Sequence, residues 1–419
     1  MSHLHTEGFQ NLTKVDDALR AFLGSLGEPS IKLETVDVEK ALGRYLGKNV
    51  VANQHIPPAD RSVMDGYGVR SEDVQNASQG KPAILQVVGE SRLDDVCRIT
   101  VGLGETVAVA TGSVVPAGAD TIVIVEQTRS LPGNKIAIHA PATAGQSISK
   151  KGEDVSPGTV VLTRGKRLRP QDIGILKTLG LPRVRVVRAP RVAILSTGNE
   201  LVRSLRKRDA TKIVDINRPI LSGMVQEMGA KSLDLGIVKD RETEITRALR
   251  KGLSLSDVVL VSAGSSVGKR DLVPKCVNTL GKPGMLVHGI AMRPAMPTGL
   301  AVVNGKPVLS LPGFPVSAIF AFRVFARPLI AKLMGVQELV EPTVRAVLKE
   351  RITGTPGNRT FVRVKVRKAE EGLVAEPLKV QRSSVLMSMV GANGIVTIPE
   401  ELSAFEAAQV VDVSLIGEI

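Results

Sequence analysis

From about residue 187 to 335 the chain alternates short β-branched runs with amphipathic stretches of helical length, and no other feature restricts its fold as tightly. RVAILSTGNEL reads as a strand entering a glycine-bearing loop, DINRPILSGMVQEMGA as a helix and KSLDLGIVKD as the next strand. RETEITRALRKGL is helical again, SDVVLVSAGSSVGKRD is strand and loop, and DLVPKCVNTLG is helical. GKPVLSLPGFP is strand and loop, followed by one long helix, VSAIFAFRVFARPLIAKLMG. Strands alternating with helices of this length form βαβ units, whose parallel sheet is covered on both faces. Ligands of such sheets bind beyond the carboxyl ends of the strands.

At 419 residues the chain exceeds one ordinary core, so roughly two to four domains of about 100–200 residues each are expected. KVDDALRAFLGSL has helical spacing, and a second helix is expected at VDVEKALGRYL. PAILQVVGE, ETVAVATG, DTIVIVEQ and KIAIHAP are short apolar runs between Gly, Pro and Asn, the pattern of a small β module. VSPGTVVLTRGKRL and PQDIGILKTLGL then return to a strand and a helix, so this module reads as an insertion. From about 340 the texture is β again, spaced for a small barrel. The expected class is multidomain α/β plus β. Residues 1–50 and 150–186 form a linker domain, 51–149 an inserted β domain, 187–335 a central doubly wound α/β domain with a parallel sheet, and 336–419 a C-terminal β-barrel domain.

The formal net charge of +14 attracts anions, and nine Arg or Lys against one Asp lie within 164–191. Aromatic residues make up only 2% of the chain and no nucleic-acid module is recognisable, so no nucleic-acid partner is expected. With Cys97 and Cys276 alone there is no disulfide framework, and a reducing cytoplasmic setting is expected. The first residues lack the apolar stretch of a signal peptide, and no uncharged run is long enough for a membrane span.

Three loops follow expected strands of the parallel sheet: STGNE, SAGSSVGKRD and SLPGFPVSA. Their Ser196, Thr197 and Gly198, Gly264, Ser265, Ser266 and Gly268, and Pro312, Gly313 and Ser317 leave backbone N–H groups and hydroxyls open to a bulky oxyanion. Gly and Ser in such loops also serve simply as turns. The pattern is neither of the familiar glycine-rich nucleotide loops. Glu200, Asp271 and Asp240 reach the same edge, where carboxylates beside a phosphate call for a hard cation such as magnesium. Asp271 equally suits the N-cap of the following helix, and Glu200 a solvated position. PPADRSVMDGYGVR and KKGEDVSPG add Asp65 and Asp154 on turn-rich spans that read equally as surface turns.

Together these segments resemble the molybdopterin molybdenumtransferase (MoeA) family, to which the E domain of gephyrin also belongs. The resemblance spans essentially the whole chain, through PPADRSVMDGYGVR, TGSVVPAGADTIVIVE, KKGEDVSPG, LSTGNEL, DINRPIL, GSSVGKRD, AMRPAMPTGLAV and LPGFPVSA in family order. It implies an elongated four-domain protomer in a homodimer, with the active site where the α/β domain of one subunit meets the β domains of the other. It implies an enzyme that takes adenylylated molybdopterin and molybdate or tungstate, cleaves the phosphoanhydride with magnesium assisting, and releases the cofactor and AMP. A molybdopterin adenylyltransferase is the implied supplier of substrate.

By the same resemblance the functional carboxylates fall on Asp65, Asp154, Glu200, Asp240 and Asp271, with Glu200, Asp240 and Asp271 as metal ligands. An arginine and a serine of the C-terminal domain fall on Arg363 and Ser383, and Arg293 stands where many members have lysine. Ala263, Gly289 and Phe314 depart from the family's usual glycine, cation and asparagine. A non-catalytic scaffold that keeps the fold without turnover is the competing reading.

Overall fold

One six-stranded sheet organises the first of two units, which comprises 1–34, 43–45 and 187–419. The structure, a computed structural model, describes residues 12–28, 30–94, 97–204, 209–263, 272–336, 341–370 and 372–419. The strands are β1 (Arg191–Thr197), β2 (Lys231–Val238), β3 (Val258–Ala263), β4 (Pro283–His288), β5 (Gly299–Val303) and β6 (Lys306–Pro312). Their order is β2-β1-β3-β6-β5-β4. Neighbours among β1, β2, β3 and β6 run parallel, as expected. The sheet also extends further: β5 pairs antiparallel with β6, and β4 antiparallel with β5. Asn304 and Gly305, with φ of 51° and 79°, form the tight turn that joins β5 to β6.

Helices α1 (Asn217–Glu227), α2 (Glu242–Leu255), α3 (Leu272–Leu280) and α4 (Pro315–Ala321) cover the two faces. Val192, Ile194, Val258 and Leu260 point to the face packed by Leu221 and Val225 of α1 and by Val316 and Phe320 of α4. Their neighbours Ala193, Leu195, Val259 and Val261 point the other way, against Ile245, Leu249, Val273 and Cys276 of α2 and α3. Every residue of β3 is buried, which is why its sequence is continuously apolar until Ser262. Each such aliphatic side chain contributes about 1.5–3 kcal/mol, so one charge at Leu260 would break the layer. The expected long helix runs from Pro315 to Met334 with a π turn at Phe322–Ala326, just ahead of Pro328, which has no N–H for the carbonyl four residues back.

The last strands are β7 (Thr343–Leu348), β8 (Arg359–Ala369), β9 (Gly372–Pro377), β10 (Gly394–Ile398) and β11 (Val410–Leu415). They pair β8-β9-β7-β11-β10 and close back onto β8, giving a barrel. Val362, Val364 and Val366 fill its interior, so the alternate residues Phe361 and Arg363 face outward. Phe361 stacks on Phe320 of α4 with ring centroids 5.0 Å apart.

The second unit comprises 35–42 and 46–186. It carries a six-stranded sheet in the order Thr121–Ile124, Gly66–Val69, Glu105–Val109, Ala83–Ser91, Lys135–Ile138, Thr128–Leu131. A separate core of Val38, Leu46, Leu162, Leu168, Leu176 and Val186 surrounds the helix Pro170–Thr178. The second N-terminal helix expected from VDVEKALGRYL is only the 3-10 turn Val38–Ala41, since Leu42 leaves helical geometry at ψ 131°. Among the described residues no helix is long and apolar enough to cross a membrane.

Candidate active site

The chain passes from β1 to β2 on one side and then to β3 on the other, so the strand order reverses between β1 and β3. In open α/β sheets that reversal opens a crevice at the carboxyl ends of the strands. A cleft of about 380 Å³ lies there, lined by Thr197 and Glu200 after β1, Ser262 and Ala263 of β3, and Gly313 and Phe314 after β6. Ile213, Asp215 and Ile216 ahead of α1, Asn217 at its start, and Ser384 also line it. The sequence candidates Thr197, Glu200 and Gly313 thus share one wall. A Cβ at Gly198 would stand 2.8 Å from Glu200 Oε1 and from Leu201 Cγ, so those side chains would have to shift. Ser196 and Pro312 are buried in β1 and β6, and Ser317 is buried one turn into α4. Asp240 is exposed beside this edge, its carboxylate accepting the Asn199 N–H at 3.3 Å.

Behind the cleft wall an ion cluster, buried at Asp215 and Arg218 and exposed at Asp234, fixes α1. Arg218 donates Nε to Asp215 Oδ2 at 2.5 Å and also donates Nη1 to Asp234 of β2. Burial by itself would lower the Arg218 pKa, but the two carboxylates outweigh it and raise it. Asn217 donates Nδ2 to Ser262 Oγ at 2.7 Å and to the Gly313 carbonyl at 2.8 Å, tying β3 to the loop after β6. A carbonyl only accepts, so the amide orientation is fixed. Asn217 Oδ1 and Ser196 Oγ are then buried without a partner among the described residues.

Arg363 is fully buried on the outward face of β8, and among the described residues none of its side-chain nitrogens has a hydrogen-bond partner. Burial lowers its pKa to about 10. Gln381 holds its backbone on both sides, accepting from Arg363 N at 3.1 Å and donating to Arg363 O at 2.9 Å. Two residues on, the half-buried Ser383 accepts the Val316 N–H through its carbonyl at 3.2 Å, and Ser384 lines the cleft. Arg293 is exposed on a two-residue strand paired with β8, opposite Thr360.

The second unit gathers its own candidates. Asp65 accepts the Thr111 N–H at 2.7 Å and the Thr111 hydroxyl at 2.8 Å on the same oxygen, which lowers its pKa. Asp60 accepts Lys150 Nζ at 2.9 Å and the Lys151 N–H at 2.8 Å. Arg61–Ser62 pairs with Ile148–Ser149, and Ser62 N bonds Ser113 O. Three sequence segments far apart in the chain, PPADRSVMDGYGVR, TGSVV and KKGEDVSPG, therefore meet at one surface. Asp154 is exposed there, held by its own N–H to Ile56 O at 3.0 Å.

Gly264, Ser265, Ser266, Gly268 and Asp271 lie outside the described residues. Among the described residues, no three of His, Cys, Asp and Glu gather to hold a metal. Gly289 has φ 95°, a conformation that resists any cationic side chain at that position. Ala263 ends β3 paired with Pro312, extended backbone that needs no glycine. Sequence reasoning did not single out Asp215, Asn217, Ser262 or Thr111; the polar pair ahead of Pro219, where the chain otherwise turns apolar, was the available signal for the first two.

The model of the MoeA N-terminal region (domains I and II) matches residues 13–180, that of the probable molybdopterin binding domain residues 193–332, and that of the MoeA C-terminal region (domain IV) residues 345–416. A molybdopterin molybdenumtransferase of Staphylococcus aureus is 30% identical over 97% of this chain and 96% of its own length. One from Bacillus subtilis is 31% identical over 92% and 90%. The crystal structure of a molybdopterin biosynthesis MoeA protein from Pyrococcus horikoshii OT3 superposes with a TM-score of 0.81 at 31% identity, covering 97% of this chain and 100% of that one.

Proposed function

The chain belongs to the molybdopterin molybdenumtransferase (MoeA) family and acts as a transferase in molybdenum cofactor biosynthesis, and on that premise we propose that it inserts molybdate, or tungstate, into adenylylated molybdopterin and releases AMP. The observation that carries this reading is Arg363, a buried guanidinium with no hydrogen-bond partner among the described residues. A buried cation held without an anion is costly, and a bound oxyanion or phosphate removes the cost. Arg363 and Arg293 supply cationic donors for the oxyanion or the substrate phosphate. Thr197 and Gly313 supply a hydroxyl and backbone where strands end, with Ser196, Gly198, Pro312 and Ser317 shaping that edge.

Breaking a phosphoanhydride needs charge neutralisation and positioning more than a covalent nucleophile. Glu200 and Asp240 offer only hard oxygen donors, a set that suits magnesium, with Asp271 as the proposed third ligand. Magnesium, when bound, neutralises phosphate charge. Asp65 and Asp154 are proposed to act from the second unit of a partner copy in a cytoplasmic homodimer, with Ser383 on the C-terminal side. A molybdopterin adenylyltransferase would supply the substrate.

The test is the metal content of the pterin product. After incubation with adenylylated molybdopterin, magnesium and molybdate, the recovered pterin is expected to carry molybdenum. Pterin recovered without metal, still adenylylated and bound, would instead identify a binding scaffold.

A further inference from the structure

The cleft carries a large aromatic side chain that none of these roles uses. The chain has 8 Phe, of which Phe22, Phe320, Phe322 and Phe325 are fully buried, whereas Phe314 stands 48% exposed while lining the cleft. Its backbone is fixed. Phe314 caps α4 at φ −71° and ψ 131°, Pro315 follows as the first helical residue, and the Phe314 carbonyl accepts the Ala318 N–H at 3.0 Å. Ile213 and Ile216, 57% and 37% exposed, line the same cleft. Asn217, 5% exposed, lines it too, its Oδ1 buried with no donor among the described residues.

Large apolar side chains left open on the wall of a cleft match a planar heterocycle, whose faces are apolar. We propose that Phe314 is the stacking platform for a heteroaromatic ring of the substrate. The inference rests on the adenylylated-pterin reading above, and that substrate offers two such rings, the pterin and the adenine.

Equilibrium binding of molybdopterin alone and of AMP alone, measured on the full chain, tests it. Phe314 is half-exposed, so Phe314→Ala leaves the core intact, and an unchanged melting temperature verifies this. One of the two ligands should lose about ten- to a hundredfold in affinity in Phe314→Ala, the range of a ring stacked on an aromatic side chain. Phe314→Tyr should restore it. Loss for molybdopterin assigns the pterin, and loss for AMP assigns the adenine. Wild-type affinity of Phe314→Ala for both ligands overturns the inference while leaving the substrate reading standing. If the wild type binds neither ligand, the substrate reading fails and the inference with it.

Discussion

Thr111 gives Asp65 two hydrogen bonds on one carboxylate oxygen, the backbone N–H at 2.7 Å and the hydroxyl at 2.8 Å. Neither uses Oδ2. A carboxylate held this way stays ionised well into acid and keeps a second oxygen for another partner. In Thr111→Val the hydroxyl bond is lost and the backbone bond stays, so the Asp65 pKa should rise toward its ordinary 3.8. A carboxyl NMR titration of both proteins reads this directly, and an unmoved pKa would show that the hydroxyl contributes nothing.

Arg218 closes the back of the cleft between Asp215 and Asp234, with the Asp215 side chain only 2% exposed. Removing the cation strands a buried carboxylate. Arg218→Ala should therefore cost about 3–5 kcal/mol in denaturant unfolding. A cost below about 1 kcal/mol would mean that the cluster is solvated in solution.

Arg363 makes the opposite prediction for stability. Its folded-state pKa, about 10, lies below the ordinary guanidinium value. Folding thus disfavours the charged form; the penalty is fully present below pH 10 and fades as pH rises from there toward the unfolded value. Arg363→Met should raise unfolding stability at pH 7, by roughly 3 kcal/mol for a shift of this size, while losing oxyanion-dependent turnover. A variant that is both less stable and fully active would contradict the proposed role.

Asp172 sets an acid limit in the second unit. Burial raises its pKa, but Lys166 Nζ and the Arg169 N–H outweigh that and hold it below the ordinary 3.8. A depressed carboxyl pKa stabilises the fold above the unfolded value of 3.8 and loses that contribution as pH falls through the lower folded value. Between pH 5 and about pH 2, wild-type stability should fall more steeply than that of Asp172→Asn. Parallel pH profiles of the two would remove Asp172 from the account.

The alternation of β-branched runs and amphipathic helices was legible because each element obeys its own local period, and the loops after β1 and β6 follow from it. The antiparallel hairpin at Asn304-Gly305 carried a short-range signal that was not read. Barrel closure rests on β8 pairing with β10 across some thirty residues, which no local pattern specifies. Asn217 matters because its amide reaches Ser262 and Gly313, residues 45 and 96 positions away, and only the folded sheet brings those together. Asp65 was visible as an acid on a tight turn, but its partner Thr111 was not.

The central claim is that anhydride cleavage is coupled to oxyanion insertion at this site. AMP release from adenylylated molybdopterin, followed with magnesium present and molybdate either supplied or withheld, tests it most directly. The account predicts AMP only when molybdate is supplied, and its loss in Glu200→Ala and Arg363→Met. AMP released equally without any oxyanion, or at the wild-type rate in both variants, would contradict it.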